Sequence, residues 1–212
     1  MKLPCASLLA FTLVAGCSNL PRSRDLANPA VSGKVLAQQV CSNCHGITGA
    51  AESPNFPNLA AQQKEYLVAQ LVQFRSHSRR DPAGYEYMWG ISRTLTDKQI
   101  VELADYYAVQ RPAPRLRAAA ASQADRGRAI FTAGIAEKSV PPCASCHGVQ
   151  GGGNGKFPRI AGQHADYLVK QLAVFQRTNE RPKGSIMKSV AHNLSRDEII
   201  AAAAYAQALT SD

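Results

Sequence analysis

In YLVAQLVQF, residues 66 to 74, Tyr66, Gln70 and Phe74 keep an i, i+4 spacing with Leu67 and Leu71 beside them. That is one face of a helix. The same face returns in YLVKQLAVF, residues 167 to 175, through Tyr167, Gln171, Phe175, Leu168 and Leu172. Thr96-x-x-Gln99 and Ser195-x-x-Glu198 read as capping boxes that open a later helix in each half. Strand-like alternation is absent, so the pattern predicts an all-α chain.

The repetition extends well beyond one helix. FPNLA at 56 to 60 and FPRIA at 157 to 161 keep the same offset of 101, and LTDKQI at 95 to 100 and LSRDEI at 194 to 199 are offset by 99. Small loop deletions account for the drift, and two homologous halves of about 80 to 90 residues are the expected architecture. QRPAPRLRAAAASQA, residues 110 to 124, lies between them, and its prolines favour an extended connection.

The beginning of the chain has a different character. Lys2 is followed by the apolar run Leu8 to Val14, too short for the roughly twenty residues a permanent span requires. This is the pattern of an export signal. The small residues Ala15 and Gly16 before Cys17 resemble a bacterial lipobox, in which the cysteine takes a lipid and becomes the mature N-terminus. The expected division is therefore a signal at 1–16, a polar tether at 17–30, a first domain at 31–111, a linker at 112–125 and a second domain at 126–212.

With 45% apolar and 18% charged residues, the 212-residue chain reads as globular. Its formal charge is +9, and loss of the signal with Lys2 leaves +8. A modestly basic exported protein suits acidic protein patches or anionic headgroups, and its scattered Arg and Lys argue against nucleic acid.

Cysteine use supplies the chemistry. Cys5 falls in the signal and Cys17 in the lipid site, while the other four stand in CSNCH, residues 41 to 45, and CASCH, residues 143 to 147. In Cys-x-x-Cys-His both thiols can add to the vinyl groups of one haem and the histidine can bind its iron. Two small halves would also gain the core that a covalent haem provides. A shared zinc site is disfavoured by the separation of the pairs, and a thioredoxin-like pair lacks its βαβ context.

Cys41, Cys44 and His45, with Cys143, Cys146 and His147, thus predict two covalently attached haem c groups. Beyond the starting Met1, Met88 and Met187 are the remaining methionines, 43 and 40 residues after their histidines. A core role is usual for methionine, but one per half in matching places points to axial thioether ligands. His77, His164 and His192 do not recur in both halves and are expected at the surface.

These motifs together resemble a class I dihaem cytochrome c of the cytochrome c4 type, from about Val31 onward. The resemblance implies two tandem cytochrome c-like domains, each wrapped around one covalent haem. It implies that the carbonyls of Pro57 and Pro158 accept the imidazole N–H of the ligating histidines. It further implies that Gly33 and Gly127 let the first and last helices of each half cross closely. AGIAEKSVPP, residues 133 to 142, departs from the first half by an insertion beside the second motif.

Iron with His on one side and Met on the other has no position for substrate. The expectation is a non-enzymatic electron carrier, lipid-anchored in the bacterial periplasm. It would take electrons from a quinol-oxidising complex or dehydrogenase and pass them to a terminal oxidase or reductase. The alternatives are a dedicated cytochrome subunit of a dehydrogenase and a dihaem peroxidase-like enzyme, the latter opposed by two matching methionines.

Overall fold

The computed structural model describes residues 24–82, 84–113 and 121–210. The expected signal, including Cys5, and the expected lipid site at Cys17 lie outside the described residues. The first half runs from α1 (Gly33–Leu36) through a π-helical turn (Ala37–Cys41) into α2 (Ser42–His45). There follow α3 (Lys64–Arg75), a second π-helical turn (Gly84–Met88), α4 (Trp89–Ser92) and α5 (Asp97–Ala108). The second half contains α6 (Ala121–Ala133), α7 (Ala144–His147), α8 (Ala165–Arg177), α9 (Ser185–His192) and α10 (Arg196–Ala208). Among the described residues, extended pairing is limited to two isolated bridges, Ile135 with Val140 and Asn154 with Phe157.

Each half has its own core. Val31, Leu36, Leu67, Leu95, Ile100, Leu103 and Tyr107 pack together in the first, and Ile130, Val140, Leu194, Ile199 and Ala202 in the second. Burying each large side chain contributes about 1.5–3 kcal/mol. In both halves the first long helical segment crosses the last, and a glycine marks the contact. A Cβ at Gly33 would sit 2.7 Å from the Leu103 nitrogen, and one at Gly127 would sit 2.7 Å from the Tyr205 Cβ and overlap the Ala201 carbonyl.

Both capping boxes form, and each N3 side chain does a second job. Gln99 donates from Nε2 to the carbonyls of Asn28 (3.0 Å) and Val31 (2.8 Å), which ties the start of the first half to α5. Glu198 instead accepts Lys138 Nζ on both oxygens, at 2.7 and 2.8 Å. Lys138 lies in the inserted segment, on a 3-10 turn (Ala136–Lys138), so this ion pair docks the insertion. Lys138 first, then the cap bond to the Ser195 backbone, pulls the Glu198 carboxyl down to about 2.

Three expectations need correction. The linker was placed at 112–125, yet α6 begins at Ala121, so residues 121 to 125, with Ala121 and Ala124 among them, belong to that helix. The tether was placed at 17–30, yet Leu26 packs on the first core and Asn28 is held by Gln99, so the domain starts earlier. Of the three histidines expected at the surface, His192 is exposed, but His164 is only 5% exposed and His77 is half-buried. His164 donates from Nε2 to the Ala51 carbonyl of the other half, at 2.9 Å.

That bond belongs to a reciprocal seam between the halves. Gln62 accepts Arg159 N–H (2.7 Å) and donates to Arg159 O (2.9 Å); Gln163 accepts Asn58 N–H (2.8 Å) and donates to Asn58 O (3.0 Å). Both pairs are related by the offset of 101 that the repeat itself carries. Gln63 donating to Gly152 O (2.9 Å) corresponds to His164 donating to Ala51 O. Two glutamine amides thus satisfy buried backbone groups of the opposite half, as a strand neighbour would.

Candidate haem-binding sites

The two motifs adopt the same local structure. Cys41 closes the first π-helical turn and precedes α2, which ends on His45; Cys143 precedes α7, which ends on His147. Gly46 (φ +73°) and Gly148 (φ +82°) then terminate these short helices in a backbone region that side chains avoid. The chain returns through Gly49, whose carbonyl accepts Leu59 N–H (2.7 Å), and through Gly151, whose carbonyl accepts Ile160 N–H (2.8 Å). This closure sets each FP segment against its histidine.

His45 Nδ1 lies 2.9 Å from Pro57 O, and His147 Nδ1 lies 2.8 Å from Pro158 O. A carbonyl only accepts, so Nδ1 carries the proton and donates, and Nε2 keeps its lone pair. Burial first of all lowers the pKa of both rings, against the opposing effect of the proline carbonyl, so both stay neutral. None of Cys41, Cys44, Cys143 and Cys146 is held in a disulfide, which leaves all four for thioether bonds. Burial pushes the Cys41 and Cys143 thiols up to about 11.

Met88 is the last residue of the second π-helical turn, half-buried, and Ser92 donates from its hydroxyl to the Met88 carbonyl. Met187, also half-buried, is the third residue of α9. The two matching methionines therefore sit on differently wound segments.

Sequence reasoning missed a cluster between the halves. Arg79 is 3% exposed and Asp81 1%. Arg79 donates to both Asp81 oxygens at 2.7 and 3.3 Å, to Gln70 Oε1 at 2.6 Å and to Gln171 Oε1 at 3.1 Å. Arg181 donates to the same two glutamines and to Tyr66 OH (3.4 Å). Each guanidinium lies 4.5 Å from a phenylalanine ring, Arg79 over Phe74 and Arg181 over Phe175. Burial alone would raise the Asp81 carboxyl; its bond to Arg79 and the charges of both arginines outweigh that and hold it below the usual range.

The residues fit haem. Each half offers two unpaired thiols beside a neutral histidine whose Nε2 is left to coordinate, the donor set that covalent haem requires.

Comparison with known proteins agrees. The Cytochrome c family model matches residues 30–108 and 124–210. The chain belongs to the cytochrome c family, as a dihaem member of the cytochrome c4 type. It is 38% identical to cytochrome c4 of Thiocapsa roseopersicina, over 84% of this chain and 92% of that protein. The structure of reduced recombinant cytochrome c4 from Pseudomonas stutzeri superposes with a TM-score of 0.75 at 34% identity, covering 84% of this chain and 97% of that one. A thiosulfate dehydrogenase electron acceptor from Stutzerimonas stutzeri is 34% identical, over 80% of this chain and 78% of that protein. The protein carries two covalent haem c groups, one at each Cys-x-x-Cys-His motif.

Proposed function

We propose that this electron-transfer cytochrome is a periplasmic, lipid-anchored shuttle, not an enzyme, in which His45 with Met88 and His147 with Met187 ligate the two irons. The observation that carries this reading is the duplicated arrangement of one proline-tethered histidine and one half-buried methionine in each half. Haem bound there supplies a one-electron ferric–ferrous couple. The chain's own residues hold that couple in place: Pro57 and Pro158 fix the imidazoles, the cores exclude water, and the glutamine seam keeps the halves from rotating apart. Cys41, Cys44, Cys143 and Cys146 form the thioether links.

The partners in this reading are a quinol-oxidising complex or dehydrogenase as donor and a terminal oxidase or reductase as acceptor. The similarity to a thiosulfate dehydrogenase electron acceptor supports the narrower variant in which one dehydrogenase is the dedicated donor. Cys17 would carry the lipid. Among the described residues no helix is long and apolar enough to cross a membrane.

Carbon monoxide decides between carrier and enzyme. A carrier with both irons held by His and Met leaves the spectrum of the reduced protein unchanged under the gas and delivers two electrons per chain to membranes of its source bacterium. Rapid carbon monoxide binding at one haem, with peroxide turnover, would replace this reading with the peroxidase-like one. A purified thiosulfate dehydrogenase tests the narrower variant: reduction of this protein many times faster than of mitochondrial cytochrome c supports a dedicated acceptor.

A further inference from the structure

The second π-helical turn carries a device that the second half lacks. His77, just beyond α3, places its ring between those of Tyr85 (centroids 5.4 Å apart, planes at 28°) and Trp89 (4.8 Å, 27°). Tyr85 and Trp89 are four residues apart, which puts them on one face of the helical turn, and they bracket Met88 in sequence. Arg93 adds its guanidinium over Trp89 at 5.7 Å.

In the second half Thr178 stands opposite His77 at the offset of 101, and Lys188 opposite Trp89 at 99. Thr178 is extended (φ −135°), and Met187 lies on a regular helix with no ring stacked before or after it among the described contacts.

His77 is a poor choice for stability alone. Its φ of +57° favours glycine or asparagine, and its Nε2 is buried without a hydrogen-bond partner. Strain of this kind persists where the surroundings hold it for another purpose. What the ring gains in return is contact with Tyr85 and Trp89, one on each side of Met88 along the chain.

We propose that His77 is a positioning residue for Met88: by stacking between Tyr85 and Trp89 it clamps the methionine turn of the first half. Met187, unclamped, then leaves its iron more readily than Met88. The inference rests on the reading that both methionines are iron ligands. Two ring contacts of ordinary strength correspond to about a tenfold difference in exchange affinity.

Imidazole, added to the oxidised holoprotein at fixed pH, is the probe. The methyl proton resonances of the two ligated methionines, assigned with Met88→Ala and Met187→Ala, report each displacement. The expected result is that Met187 is displaced at about one tenth of the imidazole concentration that displaces Met88. His77→Asn, which keeps the left-handed backbone and removes the ring, closes that gap, and Trp89→Leu does the same from the other side. Thr178→Asn leaves both affinities unchanged.

Simultaneous displacement in the natural protein overturns the proposal. So does a His77→Asn variant that melts earlier yet retains the Met88 affinity, because that is a structural role only. If Met88→Ala removes neither methyl signal, the ligand reading fails first and the clamp with it.

Discussion

Replacing Gln163 by alanine tests whether the glutamine seam makes the two halves one cooperative body. The Gln163 amide is 5% exposed and makes three bonds: it accepts Asn58 N–H (2.8 Å) and His164 N–H (3.1 Å) and donates to Asn58 O (3.0 Å). Truncation leaves both backbone groups of Asn58, itself 6% exposed, without their partner across the seam. An unsatisfied buried group costs about 1–3 kcal/mol. The void in the seam is about 10 Å³, barely room for one water before the side chain is removed. Water entering the space left by the amide recovers part of the cost, so about 3 kcal/mol is the net expectation.

For a chain of this size that corresponds to a melting point roughly 6–12 °C lower. Calorimetry of the oxidised holoprotein measures it, and the shape of the transition is as informative as its position. Natural protein unfolds in one step if the seam couples the halves, whereas Gln163→Ala separates it into two. Gln62→Ala, its reciprocal mate, behaves alike, and the double variant costs less than the sum because the second loss falls on a seam already open. A Gln163→Ala protein melting within 1–2 °C of the natural one, in a single transition, refutes the argument.

Gly127→Ala drives a methyl group into the Ala201 carbonyl where α6 crosses α10, and thermal unfolding should show a loss of about 2–3 kcal/mol with both haems retained. The depressed Glu198 carboxyl stabilises the fold fully above its unfolded value near 4.5, and this contribution fades as pH falls toward about 2. Lys138→Met should therefore raise the acid-unfolding midpoint and leave stability at pH 3 less affected than at pH 7, which acid titrations followed by helix signal can check. Cys17→Ser should move the protein from the membrane to the soluble periplasmic fraction with its haem content intact; unchanged membrane partitioning would point to a protein partner as the anchor.

The helices and the motifs were legible because their signals are local. Capping boxes at Thr96 and Ser195 specify a helix start within four residues, and Cys-x-x-Cys-His carries its chemistry in five. The methionines rest on scarcity and matching position, which say nothing of how each is wound: Met88 on a π-helical turn, Met187 on a regular helix. The seam was not legible for a different reason. Tyr66, Gln70 and Phe74 satisfy the helix period, and that period cannot distinguish a face turned to its own core from one turned to a sister domain. A signal was nonetheless present. Gln62 and Gln163, and Gln70 and Gln171, keep a neutral amide at the same place in both copies, whereas exposed positions differ, as Asn55 and Lys156 do at the same offset.

Duplication also explains why the differences between the halves deserve as much weight as the likenesses. Pro82 and Pro182 share an offset of 100, so Asp81 stands opposite Arg181 in sequence. In space, however, it is Arg79 that matches Arg181: each lies over its own phenylalanine and each reaches both Gln70 and Gln171. The two arginines were thus recruited from different positions to one reciprocal pattern, which leaves Asp81 without a counterpart. A buried carboxylate beside two guanidinium groups survives only because it is paired, and one carboxylate cannot neutralise both. Two guanidinium groups on one carboxylate, with Asp81 unmatched, make the field unequal along the seam. Together with the rings stacked beside Met88 in the first half, it gives two halves built on one plan different surroundings.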